Sequence, residues 1–327
     1  MRVLARLALG TARALVAALA LAALAAPARA QDYPTRPVRV IIGFGPGAVA
    51  DIAARTVGAR MSQILGQQIV VENKPGAGSS IAAEFVARAP KDGYTLLMAT
   101  VANTINAALA NLSFDFAKDL APIALVANVP HVLFVHPSLG VSSVLELIAL
   151  AKSKPEQLHY ASSGAGTLGH LSGELLGIMA GIKLVHVPYP GSAQGVTDLL
   201  AGRVAAMFAP ISTGWPHVVA GKIKALATTQ MKRAAIAPDL PTMAEAGLPG
   251  YDAGIWIGLL APGGTPRDVI DKLARALNEA LKSDAVIAPL RAQGVDLLGG
   301  SPEDFARHIA RDIKNWTTVA AAAGLKK

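Results

Sequence analysis

The chain has 327 residues, 52% of them hydrophobic and 16% charged, with a formal net charge of +8 and no cysteine. Without cysteine it forms no disulfide and carries no cysteine-linked lipid. Four of its 30 basic residues (Arg2, Arg6, Arg13, Arg29) and none of its 22 acids fall in the first thirty positions, so the remainder carries +4. That charge, without basic stripes interleaved with aromatic residues, excludes a nucleic-acid partner.

The first thirty residues read as a secretory leader rather than as fold. Arg2, Arg6 and Arg13 precede an unbroken run of Ala, Leu and Val over residues 14–26, and Pro27 ends it. Ala28-Arg29-Ala30 gives the small-residue cleavage pattern, so cleavage is expected after Ala30 and the mature protein is expected in the periplasm. The apolar run is too short to span a bilayer as a stable helix. No twin arginine precedes it, which favours the general secretory route.

Beyond the leader, about 300 residues fit two domains of ordinary size. Short Val/Ile-rich runs alternate with helical patterns, the mark of parallel α/β architecture. Residues 38–44 predict a strand, and Ala53, Val57, Met61, Ile64 and Leu65 fall at helical spacing before Gly66. Strands follow at 68–72 and, after the Asp92-Gly93 turn, at 95–100; Ser79 or Ser80 is placed to cap the helix between them. Residues 123–135 form a long β-prone stretch broken by Asn128 and Pro130, which suits a crossing into a second lobe.

The pattern then restarts. Ser143 and Glu146 make a capping-box pair. Strands are expected at 158–162, 185–188, 204–208 and 225–229, and a helix carries Leu168, Leu171, Leu175, Ile178 and Met179. Residues 255–261 suit a return crossing. Two helices open at Thr265-Pro266-Arg267-Asp268 and Ser301-Pro302-Glu303-Asp304, each with a hydroxyl cap, proline at N1 and an acid at N3. The expected division is a leader over 1–30, a first lobe over 31–126 with 257–327, and a second lobe over 127–256.

The strongest chemical feature is the turn Gly43-Phe44-Gly45-Pro46-Gly47-Ala48-Val49-Ala50-Asp51 between the first strand and its helix. It sets backbone N–H groups at a helix N-terminus beside an aromatic ring, which suits an anionic group; a tight turn with no ligand is the other reading. No dinucleotide fingerprint is present, because Ala48 stands where its third glycine belongs and Pro46 removes a donor. Asp51 and Arg55 either form a simple helical ion pair or hold the loop's shape.

A second turn, Ser162-Ser163-Gly164-Ala165-Gly166-Thr167, repeats the arrangement, with His170 as a packing or capping residue rather than a base. Tyr189 lines a cleft or serves the core or hinge. Thr100 and Asn103 either donate to a ligand or cap a helix. His131 and His136 lie on opposite faces of a β-prone run, which argues against shared metal ligation. No nucleophile elbow, paired carboxylate or H-E-x-x-H pattern occurs, so neither catalysis nor a cofactor is expected.

Taken together, these residues resemble a known family. The resemblance rests on Tyr33-Pro34-Thr35-Arg36-Pro37, the turn from Phe44 to Asp51, Val71-Glu72-Asn73-Lys74-Pro75-Gly76-Ala77-Gly78 and Asp92-Gly93-Tyr94. It continues through Val187-Pro188-Tyr189-Pro190-Gly191, Leu240-Pro241-Thr242-Met243-Ala244-Glu245-Ala246-Gly247 and Trp256-Ile257-Gly258-Leu259-Leu260-Ala261-Pro262. It is similar to the Bug family, the periplasmic solute-binding proteins of tripartite tricarboxylate transporters, over essentially all of the chain after the leader. The resemblance implies a two-lobed type II periplasmic-binding-protein fold, each lobe a mixed sheet flanked by helices and joined by two crossing strands. It implies a monomer that closes on a small carboxylate and presents it to membrane transporter subunits; a sensor receptor as partner and an extracytoplasmic enzyme are the other readings.

The implied ligand contacts are Phe44, Gly45, Pro46, Gly47 and Ala48 in the first lobe and Ser162, Ser163, Gly164 and Thr167 in the second, with His170 nearby; Asp51, Thr100, Asn103 and Tyr189 complete the candidate set. Ala48 replaces the family's usual second glycine and Ala50 its usual small hydroxyl residue. Ala209 and Pro210 stand where the family often has an acid, which disfavours recognition of an amino group.

Overall fold

The computed structural model describes residues 33–292 and 294–325. The expected leader and its cleavage point at Ala30 lie outside the described residues. Among those described, no helix is long and apolar enough to cross a membrane.

The chain opens with β1 (Val38–Ile42), α1 (Val49–Leu65), β2 (Ile69–Asn73), α2 (Ser80–Ala87), β3 (Thr95–Thr100), α3 (Val101–Leu109) and β4 (Leu120–Val129). It continues through β5 (His131–Val135), α4 (Val144–Ser153), β6 (His159–Ser162), α5 (Leu168–Ala180), β7 (Val185–Pro188), α6 (Ser192–Leu200), β8 (Ala206–Pro210), α7 (Ile211–Val219) and β9 (Lys224–Thr228). It ends with β10 (Ile255–Pro262), α8 (Arg267–Ala280), α9 (Asp284–Ala292), β11 (Asp296–Leu297) and α10 (Pro302–Ala322).

Two mixed sheets result. One has the order β11-β4-β10-β3-β1-β2, the other β7-β6-β8-β5-β9. β1 pairs parallel with β2 and β3, and β6 pairs parallel with β7 and β8, while β10 and β5 run antiparallel to both of their neighbours. β1 and β2 are rich in β-branched residues, and in β1 Val38, Val40, Ile41 and Ile42 are all buried.

Pro130 alone separates β4, in the first sheet, from β5, in the second. Lacking an N–H, it cannot extend either ladder; its carbonyl instead accepts from Ile211 N at 2.8 Å. The β-prone stretch at 123–135 is therefore two strands rather than one. The return passes beside it: Thr229 N donates to the His131 carbonyl at 2.8 Å, and Ile255 pairs with Val129. The last helix, α10, packs on α3 and β4 and reaches α5. Its Asp312 accepts from Thr104 Oγ1 at 2.5 Å and from Trp256 Nε1 at 2.8 Å.

Three expected caps differ in detail. Ser143 accepts from Glu146 N at 3.2 Å, but the Glu146 carboxylate accepts from Ser142 N rather than from the Ser143 backbone. The Thr265 hydroxyl turns back to the Pro262 carbonyl at 2.8 Å, which leaves Pro266 as the N-cap of α8. Ser79 adopts a left-handed φ of 76° and makes no side-chain cap to α2. Ser301 and Asp304 form the full capping box expected of them.

Candidate functional site

Both glycine turns sit where a parallel strand ends and a helix begins, the position at which open α/β sheets bind ligands. In the first turn, a Cβ on Gly43 would lie 2.0 Å from Ser79 Oγ, so only glycine lets the start of α2 approach β1. Gly47 takes a left-handed φ of 83°. Behind the turn lies Asp51, only 3% exposed. Its carboxylate accepts from Gly47 N at 3.0 Å, Asn73 Nδ2 at 2.9 Å and Arg55 Nε at 3.0 Å. Asn73 Nδ2 also donates to the Phe44 carbonyl at 2.9 Å.

Asp51 thus both pairs with Arg55 and holds the loop's shape, joining the two readings of the sequence. Burial pushes its carboxyl upward, but the hydrogen bonds from Arg55, Gly47 and Asn73 outweigh this and hold it down to about 2. Ala48 has φ −63°, so its methyl causes no backbone strain where the family's glycine would stand. It caps α1 without a side-chain acceptor, and the N–H groups of Val49 and Ala50 at the start of α1 remain open.

The second turn is built in the same way. Ser162 is fully buried; its hydroxyl bonds within the turn to Gly164 and contacts His186 Nε2 at 2.6 Å. Thr167 Oγ1 donates to the Gly164 carbonyl at 2.7 Å. His170 Nδ1 accepts from Gly166 N at 3.1 Å, and its ring stacks on His186 at 3.9 Å. Burial lowers the pKa of both imidazoles, that of His186 to about 4, so the pair is neutral near pH 7. Thr167 supplies no side-chain cap to α5, which leaves the first N–H groups of α5 open.

A cavity of about 510 Å³ joins these parts and draws its wall from both sheets. Of the expected contacts, Phe44, Ala48, Thr100, Ser163 and Thr167 line it. Gly45, Pro46, Gly47, Asp51, Asn103, Ser162, Gly164, His170 and Tyr189 are not among the lining residues. Their bonds show why for several of them: Asn103 Oδ1 accepts from Thr100 N at 3.0 Å in a capping box, and Tyr189 donates to Asp198 Oδ2 at 2.7 Å. A larger hollow of about 690 Å³, around residues 110–117, touches neither glycine turn.

The wall joins the two turns to helix ends that residue patterns did not bring together with them. The N-terminal ends of α1, α3, α5, α6 and α7 all meet the cavity, contributing Val49, Val101, Leu168, Ser192 and the Pro210 cap. Val129, Ile255 and Ile257 of the crossing strands line it as well, together with His131. Each junction could be found in sequence as a strand followed at once by a helix start; their convergence could not. Among the described residues the wall has no Asp, Glu, Lys or Arg, and no group of three or more His, Asp or Glu is placed to hold a metal. One helix end offers an anion roughly 0.3–1 kcal/mol, up to ~2 when partly buried. Five together supply roughly 1.5–5 kcal/mol at the ordinary value, so direct hydrogen bonds from the open N–H groups must add to them to reach the ~8 kcal/mol of a micromolar site. The chemistry on offer is therefore reception of an anion by backbone dipoles.

Comparison with known proteins agrees. The family model described as "Tripartite tricarboxylate transporter family receptor" matches residues 53–325. BugT of Bordetella pertussis is 36% identical, over 94% of this chain and 95% of that protein. The solved R. palustris protein Rpa4515 with adipate is 39% identical with a TM-score of 0.73, covering 89% of this chain and 98% of the other. MatC from Rhodopseudomonas palustris with bound malate is 32% identical with a TM-score of 0.71, covering 88% and 99%. A fold of two mixed sheets, a cavity ringed by helix N-termini and a family match over most of the chain agree, and the protein belongs to the tripartite tricarboxylate transporter receptor family.

Proposed function

We propose that this protein is a periplasmic solute-binding protein that closes its two lobes, residues 31–126 with 257–327 and residues 127–256, on a small organic carboxylate. It then presents the ligand to membrane transporter subunits. The observation that carries this is the meeting of five helix N-termini from both sheets in one cavity whose wall has no charged side chain among the described residues. The adipate and malate bound by two relatives support the ligand class. The leader is removed after Ala30 during export, and the mature monomer binds and releases its ligand unchanged. The carboxylate meets the open N–H groups of α1 and α5 and the hydroxyls of Thr100 and Ser163, with Thr167, whose own proton goes to the Gly164 carbonyl, beside them. Gly45, Pro46, Gly47, Asp51, Asn103, Ser162, Gly164, His170 and Tyr189 hold those groups in place.

Calorimetry and thermal shift against mono-, di- and aromatic carboxylates test this. A ligand at 100 times its Kd is expected to stabilise the protein by about 2.7 kcal/mol. Aspartate is expected to bind at least about tenfold more weakly than succinate, because an ammonium group would be buried without an acid to pair with. No stabilisation by any acid of the panel would overturn the carboxylate assignment.

Gly47→Val tests the first turn separately. A Cβ there meets nothing within 4 Å, so the cost is the left-handed φ rather than a clash. Stability is expected to fall by roughly 1–2 kcal/mol. Carboxylate affinity is expected to fall about tenfold or more as the turn re-forms away from Asp51. Unchanged affinity by calorimetry would remove the turn from the site.

A further inference from the structure

His131 is the one titratable residue of the cavity wall among those described. It is the first residue of β5, directly after the Pro130 crossing, and pairs with Pro210 on β8. Its backbone is locked from two sides. Its N–H donates to Gln230 Oε1 at 3.3 Å, and its carbonyl accepts from Thr229 N at 2.8 Å and Thr229 Oγ1 at 3.2 Å. The side chain is 3% exposed. Nδ1 is sealed from water with no hydrogen bond, and no described residue bonds either ring nitrogen.

A neutral imidazole carries one donor and one acceptor. Here neither nitrogen has a protein partner beside Val129, Pro210 and Ile255, none of which has a polar side chain to offer, and Nδ1 is closed to water as well. Such a buried polar group bears the full cost of lost hydration and calls for an explanation. It does not serve as a cation for the anion, because burial drives its pKa down to about 3. Nor does it lock a turn, as His170 does through Gly166.

We propose that His131 hydrogen-bonds, as a neutral imidazole, to a second oxygen function of the ligand: a hydroxyl, a carbonyl or a second carboxyl carried on its body beyond the anchoring carboxylate. This rests on the carboxylate reading above and narrows it. The helix N-termini accept any small carboxylate. Nε2, the ring nitrogen that protein atoms do not seal, then favours acids that bring an oxygen to the crossing region and penalises plain alkyl or aryl acids, whose carbon would leave it unpaired. Loss of such a hydrogen bond in a closed site is worth about tenfold in affinity.

Calorimetry on the full mature chain with matched probes tests this: hexanoate against 6-hydroxyhexanoate and adipate, and benzoate against 4-hydroxybenzoate. In the wild type, at least one oxygen-bearing acid is expected to bind about tenfold or more tighter than its plain counterpart. His131→Leu is expected to bring that ratio to within about threefold. Its unliganded melting temperature is expected to hold or rise, because an apolar side chain removes the unmet groups. His131→Asn and His131→Gln each return a polar atom near one ring nitrogen, and one of them is expected to restore most of the ratio. If His131→Leu folds poorly, that restored ratio decides. A ratio unchanged in every variant, or a wild type that prefers the plain acids, overturns the inference and leaves the carboxylate reading intact. Failure of every acid to bind the wild type overturns both.

Discussion

Gly169→Ala is expected to cost this protein most of its ligand affinity while adding one methyl group. Gly169 lies in the first turn of α5 and lines the cavity. An added Cβ would stand 2.7 Å from the Phe208 carbonyl oxygen and 3.1 Å from Ser162 Cβ. The nearest obstacle is the β8 backbone at Phe208, a buried position, and cannot rotate away as a flexible side chain would. The N-terminus of α5 must therefore retreat by a fraction of an ångström. Overpacking of this kind costs roughly 1–3 kcal/mol, reduced by up to ~1 kcal/mol from the better helix propensity of alanine. Binding should suffer more than stability, because the retreat draws the Leu168 and Gly169 N–H groups from the carboxylate. Hydrogen bonds to a charged group are worth about 1.5–3 kcal/mol each, so a tenfold to hundredfold rise in Kd is expected. Calorimetry with the tightest acid of the panel, beside a denaturation curve, separates the two effects. A variant with wild-type Kd would show that the α5 terminus does not hold the ligand.

Asp51→Ala is expected to have the second-largest effect and to act from behind the wall. The substitution removes the acceptor shared by Gly47 N–H, Asn73 Nδ2 and the Arg55 guanidinium; Asn73 Nδ2 keeps the Phe44 carbonyl and Arg55 keeps Asn73 Oδ1, but Gly47 N–H is left without a partner. Removing the buried acceptor of such a cluster costs about 1–3 kcal/mol, and the turn that carries Phe44 and Ala48 loosens with it. The milder Asp51→Asn gives the pH test. The folded carboxyl is held down to about 2, below its unfolded value near 3.9. A depressed pKa contributes stability that is fully present above about pH 4 and is lost as the pH falls through about 2. The shift corresponds to roughly 2–3 kcal/mol. The stability gap between wild type and Asp51→Asn, measured by urea unfolding, is therefore expected to be largest at pH 7 and to narrow by about that amount towards pH 2. An equal gap at both ends would mean that the ionised form of Asp51 is not what ties the turn.

Much of the architecture was readable locally. Residues 185–188 were expected as a strand and form one, because Val185 and Val187 are β-branched and Pro188 and Pro190 end the run. The capping box at Ser301 and Asp304 was legible because both partners lie within one turn of each other. The identical spacing at Thr265 and Asp268 misled, since the hydroxyl found a competing acceptor, the Pro262 carbonyl, three residues upstream. The stretch at 123–135 read correctly as β-prone and as a crossing, but its division into β4 and β5 depends on which sheet each half pairs with.

The site divides along the same line. From its residues alone the chain established the strand-to-helix turns at 43–51 and 162–167, the wish of their glycines for unusual backbone, and the family they resemble. These are local properties, set by side-chain size, φ preference and hydrogen-bonding groups a few residues apart. Which atoms of those turns look into the cavity was decided by the tertiary structure. Asp51, Ser162 and His170 each find a backbone partner within their own loop, and none of the three lines the cavity. The remaining helix ends and His131 join the two turns only because strands far apart in sequence end side by side, and no local pattern encodes that meeting.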